Sequence, residues 1–241
     1  MKRIRFFFVA IAILTAVVSC SFSTPTMGGP VVKETRDVSG FSAISLSVPA
    51  NVYVEQGSGF SFVIEGSQSA LKEIETVVEG SAVRIKWRNK FYSWRGSEEI
   101  KIFVTVPTLS ALSIAGSGGI YVKAGLTVEN LTMSIAGSGD VVIESIDATG
   151  VKCSIAGSGD IKLNAGKVTT LSASISGSGS IKASNLEASG VKVGIAGSGD
   201  CFVWATGSLD ASISGSGDIK YKGTPKLVAK VSGSGDIKPV N

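Results

Sequence analysis

The chain has 241 residues, 44% of them hydrophobic and only 17% charged, which is enough apolar material for one large or two small folded domains and argues against disorder despite 30 glycines. Histidine is absent, which removes the commonest general base and the commonest metal ligand together. The formal charge of +4 includes Lys2, Arg3 and Arg5 of a leader; without them 20 basic residues face 19 acidic ones, and nothing electrostatic favours nucleic acid as a partner.

Met1 to Arg5 forms a short basic region, and residues 6–18 are apolar except for Thr15. This run is too short to span a bilayer comfortably and reads as a signal peptide, residues 1–19. Val17-Val18-Ser19-Cys20 resembles a bacterial lipobox, which implies acylation and cleavage at Cys20. Several acyl chains hold a protein stably on a membrane, at about 0.8 kcal/mol per buried CH₂. Residues 20–37 follow as a tether, with Ser, Thr, Gly and Pro dominating up to Pro30.

Residues 38–108 read as a divergent β half or cap. Ser42-Ala43-Ile44-Ser45-Leu46 matches Ser110-Ala111-Leu112-Ser113-Ile114, and Val52-Tyr53-Val54 matches Ile120-Tyr121-Val122, without gaps. At the corner between them Val48-Pro49-Ala50 stands where Gly116-Ser117-Gly118 does. Further strand patterns lie at 61–65, 82–87 and 100–106, with a short helix expected over 69–75.

Residues 109–241 carry Gly-Ser-Gly at Gly116, Gly137, Gly157, Gly177, Gly197, Gly215 and Gly233. The spacings are 21, 20, 20, 20, 18 and 18 residues. Two positions before each motif stands Ile114, Ile135, Ile155, Ile175, Ile195, Ile213 or Val231, and apolar or small residues recur at two-residue intervals on both sides. Period-2 alternation at a fixed repeat predicts strands with one apolar face, stacked as a parallel β-solenoid. Gly-Ser-Gly then marks the corner of each rung, followed by a looser return. Seven copies without a helix signal do not fit a phosphate cradle.

Together these features resemble the bacterial envelope family of autotransporter-adhesin head, or GIN, domains. The resemblance rests on Gly40-Phe41-Ser42-Ala43-Ile44, on Asn51 to Gly57, on Ile102–Pro107 with Leu109, and on the Gly-Ser-Gly-Asp run. It covers residues 38–238 and implies a right-handed β-helix on a lipobox-bearing protein of Bacteroidetes-like cells. It supplies no demonstrated activity.

Candidate chemistry is sparse. Asp140, Asp160, Asp200, Asp218 and Asp236 follow the corner, with Lys162, Lys220 and Lys238 two residues after three of them. They read as a solvated charge ladder, with calcium binding as the alternative. Cys153 and Cys201 fall in different inward columns and read as core residues rather than a disulfide or a nucleophile. Trp87, Phe91, Tyr92 and Trp94 cluster with Arg88 and Arg95, either as a glycan or protein contact or as part of the cap. Phe202 and Trp204 take outward positions that hold Lys or small residues in other rungs.

The expected protein is therefore a non-enzymatic, lipid-anchored envelope lipoprotein, most naturally of the outer membrane, acting as an adhesin or binding module for a glycan or protein. No cofactor is called for. A carbohydrate-active enzyme on a β-helix and a purely structural scaffold are the alternatives. Lys238 and Pro239 discourage end-to-end stacking, so a discrete particle is expected.

Overall fold

A computed structural model describes residues 29–89 and 99–240. The alternating pattern becomes strand almost everywhere: the structure is 74% strand and 3% helix, wound as a β-solenoid of about 6 turns with rungs about 20 residues apart. Cys20, its leader and most of the aromatic loop, including Phe91, Tyr92, Trp94 and Arg95, lie outside the described residues.

The N-terminal half contains β1 (Val31–Thr35), β2 (Ala43–Leu46), β3 (Ala50–Gln56), β4 (Ser61–Ser67), α1 (Gln68–Glu73), β5 (Ile74–Glu79), β6 (Ala82–Trp87) and β7 (Ile100–Val106). The repeat half contains β8 (Ala111–Gly116), β9 (Gly119–Gly137), β10 (Asp140–Gly157), β11 (Asp160–Leu163), β12 (Gly166–Gly177), β13 (Ser180–Gly197), β14 (Asp200–Gly215), β15 (Ile219–Lys222), β16 (Lys226–Gly233) and β17 (Ile237–Pro239).

The internal sequence match is also a spatial one. β2 lies parallel to β8 with Ile44 beside Leu112 and Leu46 beside Ile114. β3 lies parallel to β9 with Tyr53 beside Tyr121. The rungs are not stacked in chain order, however. β2 and β3 pair on their other edges with β6 and β7, so the first rung sits between the second and the third. Beyond β6 and β7 the direction reverses. β5 runs antiparallel to β6, β4 antiparallel to β7, and β1 antiparallel to β4. This antiparallel layer closes one end and buries Phe62, Ile64 and Ile74.

In the rungs of β9, β10, β13 and β14 the return side is more ordered than the sequence pattern indicates. β9 and β10 run through it without a break, burying Leu126 and Ile146, with a register shift between Ile143 and Ser145. Bulges of this kind hide the alternation. Between β13 and β14 the register shifts after Ala183 and again after Ala188, where the rung spacing drops from 20 to 18. All inward columns, from Phe41 to Ile219, form one hydrophobic cluster.

The two glycines of each corner are required for different reasons. The first has φ between 123° and 141° in all seven copies, a region closed to L side chains. The third has ordinary φ but lies against the rung beneath: a Cβ on Gly139 would come within 2.7 Å of Ile114 Cγ2. Its predecessor's backbone carbonyl is closer still. The corner serines ladder through their amides, as in Ser158 N–H donating to Gly137 O at 2.9 Å.

Candidate functional site

Residues that point away from the core just after the corner stack into one column along the solenoid. In spatial order they are Phe103, Tyr53, Tyr121, Val142, Lys162, Lys182, Phe202, Lys220 and Lys238. Non-sequential stacking of the first rung brings the three rings at its head together. Tyr53 stacks on Phe103 with centroids 5.4 Å apart and on Tyr121 at 5.5 Å, while Lys123 Nζ lies 4.4 Å from the Tyr53 centroid. Offset-stacked pairs of this kind contribute about 0.5–1.5 kcal/mol beyond their buried area.

The ridge drops where Val142 follows Tyr121, because valine is too short to continue it. There a groove of about 190 Å³ opens, lined by Tyr121, Asp140, Val141, Val142, Asp160, Lys162 and Lys182. One face of Tyr121 is covered by Tyr53; the other side adjoins the groove. Gly119 stands between Asn51 and Asp140 of the neighbouring rungs, and a Cβ there would come within 2.6 Å of the Tyr121 ring and hydroxyl. The missing side chain is what lets the ring lie down. Burial raises the Tyr121 phenol above its usual pKa, with the Asp140 carboxylate adding to the effect.

The aspartate column has a structural task. Asp140 Oδ1 accepts from Asp160 N–H at 3.2 Å, Asp160 Oδ1 from Ser180 N–H at 3.0 Å, Asp200 Oδ1 from Asp218 N–H at 3.0 Å and Asp218 Oδ1 from Asp236 N–H at 3.1 Å. Where the carboxylate is missing, at Gly119 and Ser180, the next amide turns instead to a glycine carbonyl: Asp140 N–H to Gly118 O and Asp200 N–H to Gly179 O. Lysines meet the outer oxygens, with Lys182 Nζ 3.2 Å from Asp160 Oδ2 and Lys238 Nζ 3.8 Å from Asp218 Oδ2. Among the described residues no group of three or more His, Cys, Asp or Glu side chains is placed to hold a metal ion. Asp160→Ala should therefore cost about 1 kcal/mol of stability in a urea titration and Asp160→Asn much less, since an amide oxygen still accepts the Ser180 N–H. Equal losses for both would show that the charge, not the acceptor, matters.

Other sequence candidates fall elsewhere. Trp87 is half-buried and packs on the core at the edge of the cap. Exposed Arg88 continues β6, its amide donating to Glu73 O at 2.7 Å. Both line a second groove with Ser47, Glu75 and Lys86. Phe202 and Trp204 are half-exposed, and each ring is covered by a lysine of the next rung: Lys220 Nζ lies 5.2 Å from the Phe202 centroid and Lys222 Nζ 4.1 Å from that of Trp204. Cys153 and Cys201 are fully buried free thiols, and burial pushes Cys153 up to about 12 and Cys201 in the same direction.

Fold and surface define an all-β solenoid that presents long, ordered lateral faces, with one aromatic and charged ridge among them. The chain belongs to the putative auto-transporter adhesin, head GIN domain family, which it matches over residues 40–225. It is similar to a putative adhesin of Bacteroides fragilis NCTC 9343, with 29% identity and a TM-score of 0.81 over 88% of this chain and 97% of the other. A putative lipid binding protein of Parabacteroides distasonis ATCC 8503 is 28% identical, with a TM-score of 0.75 over 89% and 98%. A putative adhesin of Parabacteroides merdae ATCC 43184, at 22% identity and a TM-score of 0.73 over 88% and 97%, shares the fold. No curated protein matches the chain. The family and these neighbours support a binding role associated with the cell envelope or surface.

Proposed function

We propose that the protein is a non-catalytic binding module of the bacterial envelope, lipidated at Cys20 and held in the outer membrane, which takes a glycan unit in the groove beside Tyr121. The observation that carries the reading is an aromatic ring bordering a groove that also offers two carboxylates and two ammonium groups. Sugars have an apolar face and a rim of hydroxyls, and such a ring and rim of charges meet both. At about 190 Å³ the groove is smaller than drug-sized pockets of about 300–1,000 Å³, so it suits a single sugar unit of a longer chain. The supports are rigid strands, which favours a preformed site. The Asp140–Asp160 contact recurs at Asp200–Asp218, which argues for architecture rather than a specialised acid–base pair.

A glycan array probed with the full chain, followed by titration calorimetry on the hits, tests the site. Tyr121→Ala should weaken binding at least about tenfold, equivalent to about 1.4 kcal/mol, while leaving the far-UV spectrum unchanged. Binding only to proteins or to lipid vesicles would replace the ligand class. Release of reducing or unsaturated ends from a polysaccharide would replace the non-catalytic reading. Mass spectrometry of the chain extracted from membranes should find acyl groups on Cys20, and an unmodified Cys20 there would refute the lipid anchor.

A further inference from the structure

The two ends of the solenoid differ. At one end the antiparallel strands β4 and β5 cover the last parallel rung. At the other, β16 pairs among the described residues only with β14, and every one of its eight residues is exposed. The inward column that is closed at Leu209 (1% exposed) and Ile213 (2%) stands open one rung later at Leu227 (40%) and Val231 (44%), with Ala229 between them. Lys238 and Pro239 guard the terminal rung only on its β17 side. Along β16 the backbone edge and the apolar column are presented together, which is the usual condition for strand pairing with another chain.

We propose that this end is a dimer interface, in which β16 pairs antiparallel with β16 of a second copy across a two-fold axis at Ala229. The surface to be covered is the cross-section of a rung, and the matching surface is another rung section of the same repeat. Register follows from the side chains. Odd shifts would put inward residues opposite outward ones and lose the core match. Centring on Val228 sets Lys226 against Lys230, and centring on Lys230 sets that lysine against itself, so like charges oppose both. Centring on Leu227 or Val231 leaves two of the three apolar residues without a core partner. With Ala229 at the axis, Leu227 meets Val231 in both directions, Lys226 meets Ser232 and Lys230 meets Val228. The contact is isologous and the far end of each chain is capped, so assembly closes at two copies instead of growing into a fibre.

Cysteine cross-linking reads the register directly. The full chain carrying Cys20→Ser, purified in detergent, leaves Cys153 and Cys201 buried and silent. Directly paired antiparallel residues have Cα atoms about 4.5–5.5 Å apart, within disulfide reach. Oxidised Ala229→Cys should run mainly at twice the chain mass on a non-reducing gel. Lys226→Cys should remain single, because its counterpart lies opposite Ser232. Adding Leu227→Lys and Val231→Lys to Ala229→Cys should abolish the cross-link without changing the far-UV spectrum. A single band for Ala229→Cys, equal cross-linking at both cysteine positions, or sedimentation of the unsubstituted chain as a monomer or a filament at micromolar concentration would each overturn the proposal.

Discussion

Gly177→Ala should destabilise the protein by about 3–5 kcal/mol, read as the shift of the urea midpoint in circular dichroism. Two effects combine at this residue. Its φ of 132° strains any L side chain, at about 1–3 kcal/mol. A Cβ there would also run into the backbone of Gly157 in the rung beneath, whose carbonyl carbon and nitrogen lie 3.1 Å from its position. Neither neighbour is a flexible side chain that can swing away, and the carbonyl oxygen already accepts Ser178 N–H at 2.9 Å. Gly116→Ala separates the two effects: φ is 123°, but its Cβ would meet nothing within 4 Å, so only the conformational cost of about 1–3 kcal/mol applies. Gly125→Ala, with ordinary φ and open space, should stay within about 0.5 kcal/mol. Comparable losses at Gly177 and Gly116 would mean that the stacked corner has room to yield.

This corner was legible in the sequence because it is periodic. Seven copies of Gly-Ser-Gly, each preceded by Ile or Val within a two-residue alternation, leave one architecture open, and the match of Ser42–Leu46 to Ser110–Ile114 marked a divergent rung or cap within residues 38–108. The insertion of β2 and β3 between the next two rungs was not legible. It depends on β4 to β7 turning back over the first rung, and strand patterns carry no direction. The aromatic ridge was hidden for the same reason. Tyr53 and Tyr121 align in the internal match, but Phe103 joins them only because β7 lies on the far side of β3. The groove depends on two residues that look unremarkable singly: Val142, too short to continue the ridge, and Gly119, a gap in the aspartate column. Conversely, the aspartates drew attention as possible ligands because a sequence shows charge and not hydrogen-bond partners. Their acceptor bonds to the next rung's amides appear only in three dimensions.

Arg36→Ala should cost about 3 kcal/mol and loosen the cap before the solenoid. Arg36 belongs to no repeat column and carries no motif, yet its guanidinium ties α1 to β5 in the closing layer. Nη1 donates to Ile74 O at 2.8 Å and to Thr76 Oγ1 at 2.6 Å, and Nη2 donates to Leu71 O at 3.0 Å. Leu71 lies near the end of α1, where helical carbonyls lack intrahelical partners, and Ile74 opens β5. The side chain is only 14% exposed, so truncation strands these acceptors with little access to water. Each bond to a charged donor contributes about 1.5–3 kcal/mol, and the three are coupled and do not simply add. Arg36→Lys should recover less than half of the loss, because one ammonium cannot reproduce the planar fork that reaches Leu71 and Ile74 at once. Glu34→Ala, which removes only the half-exposed carboxylate 3.2 Å from Nε, should change stability by less than about 1 kcal/mol. Hydrogen exchange gives the location: amides of residues 68–78 should lose protection in Arg36→Ala while those of β12 and β13 keep theirs. A uniform loss along the solenoid would instead mean that the cap and the repeat unfold as one unit, and a loss below about 1 kcal/mol would mean that water replaces the guanidinium without penalty.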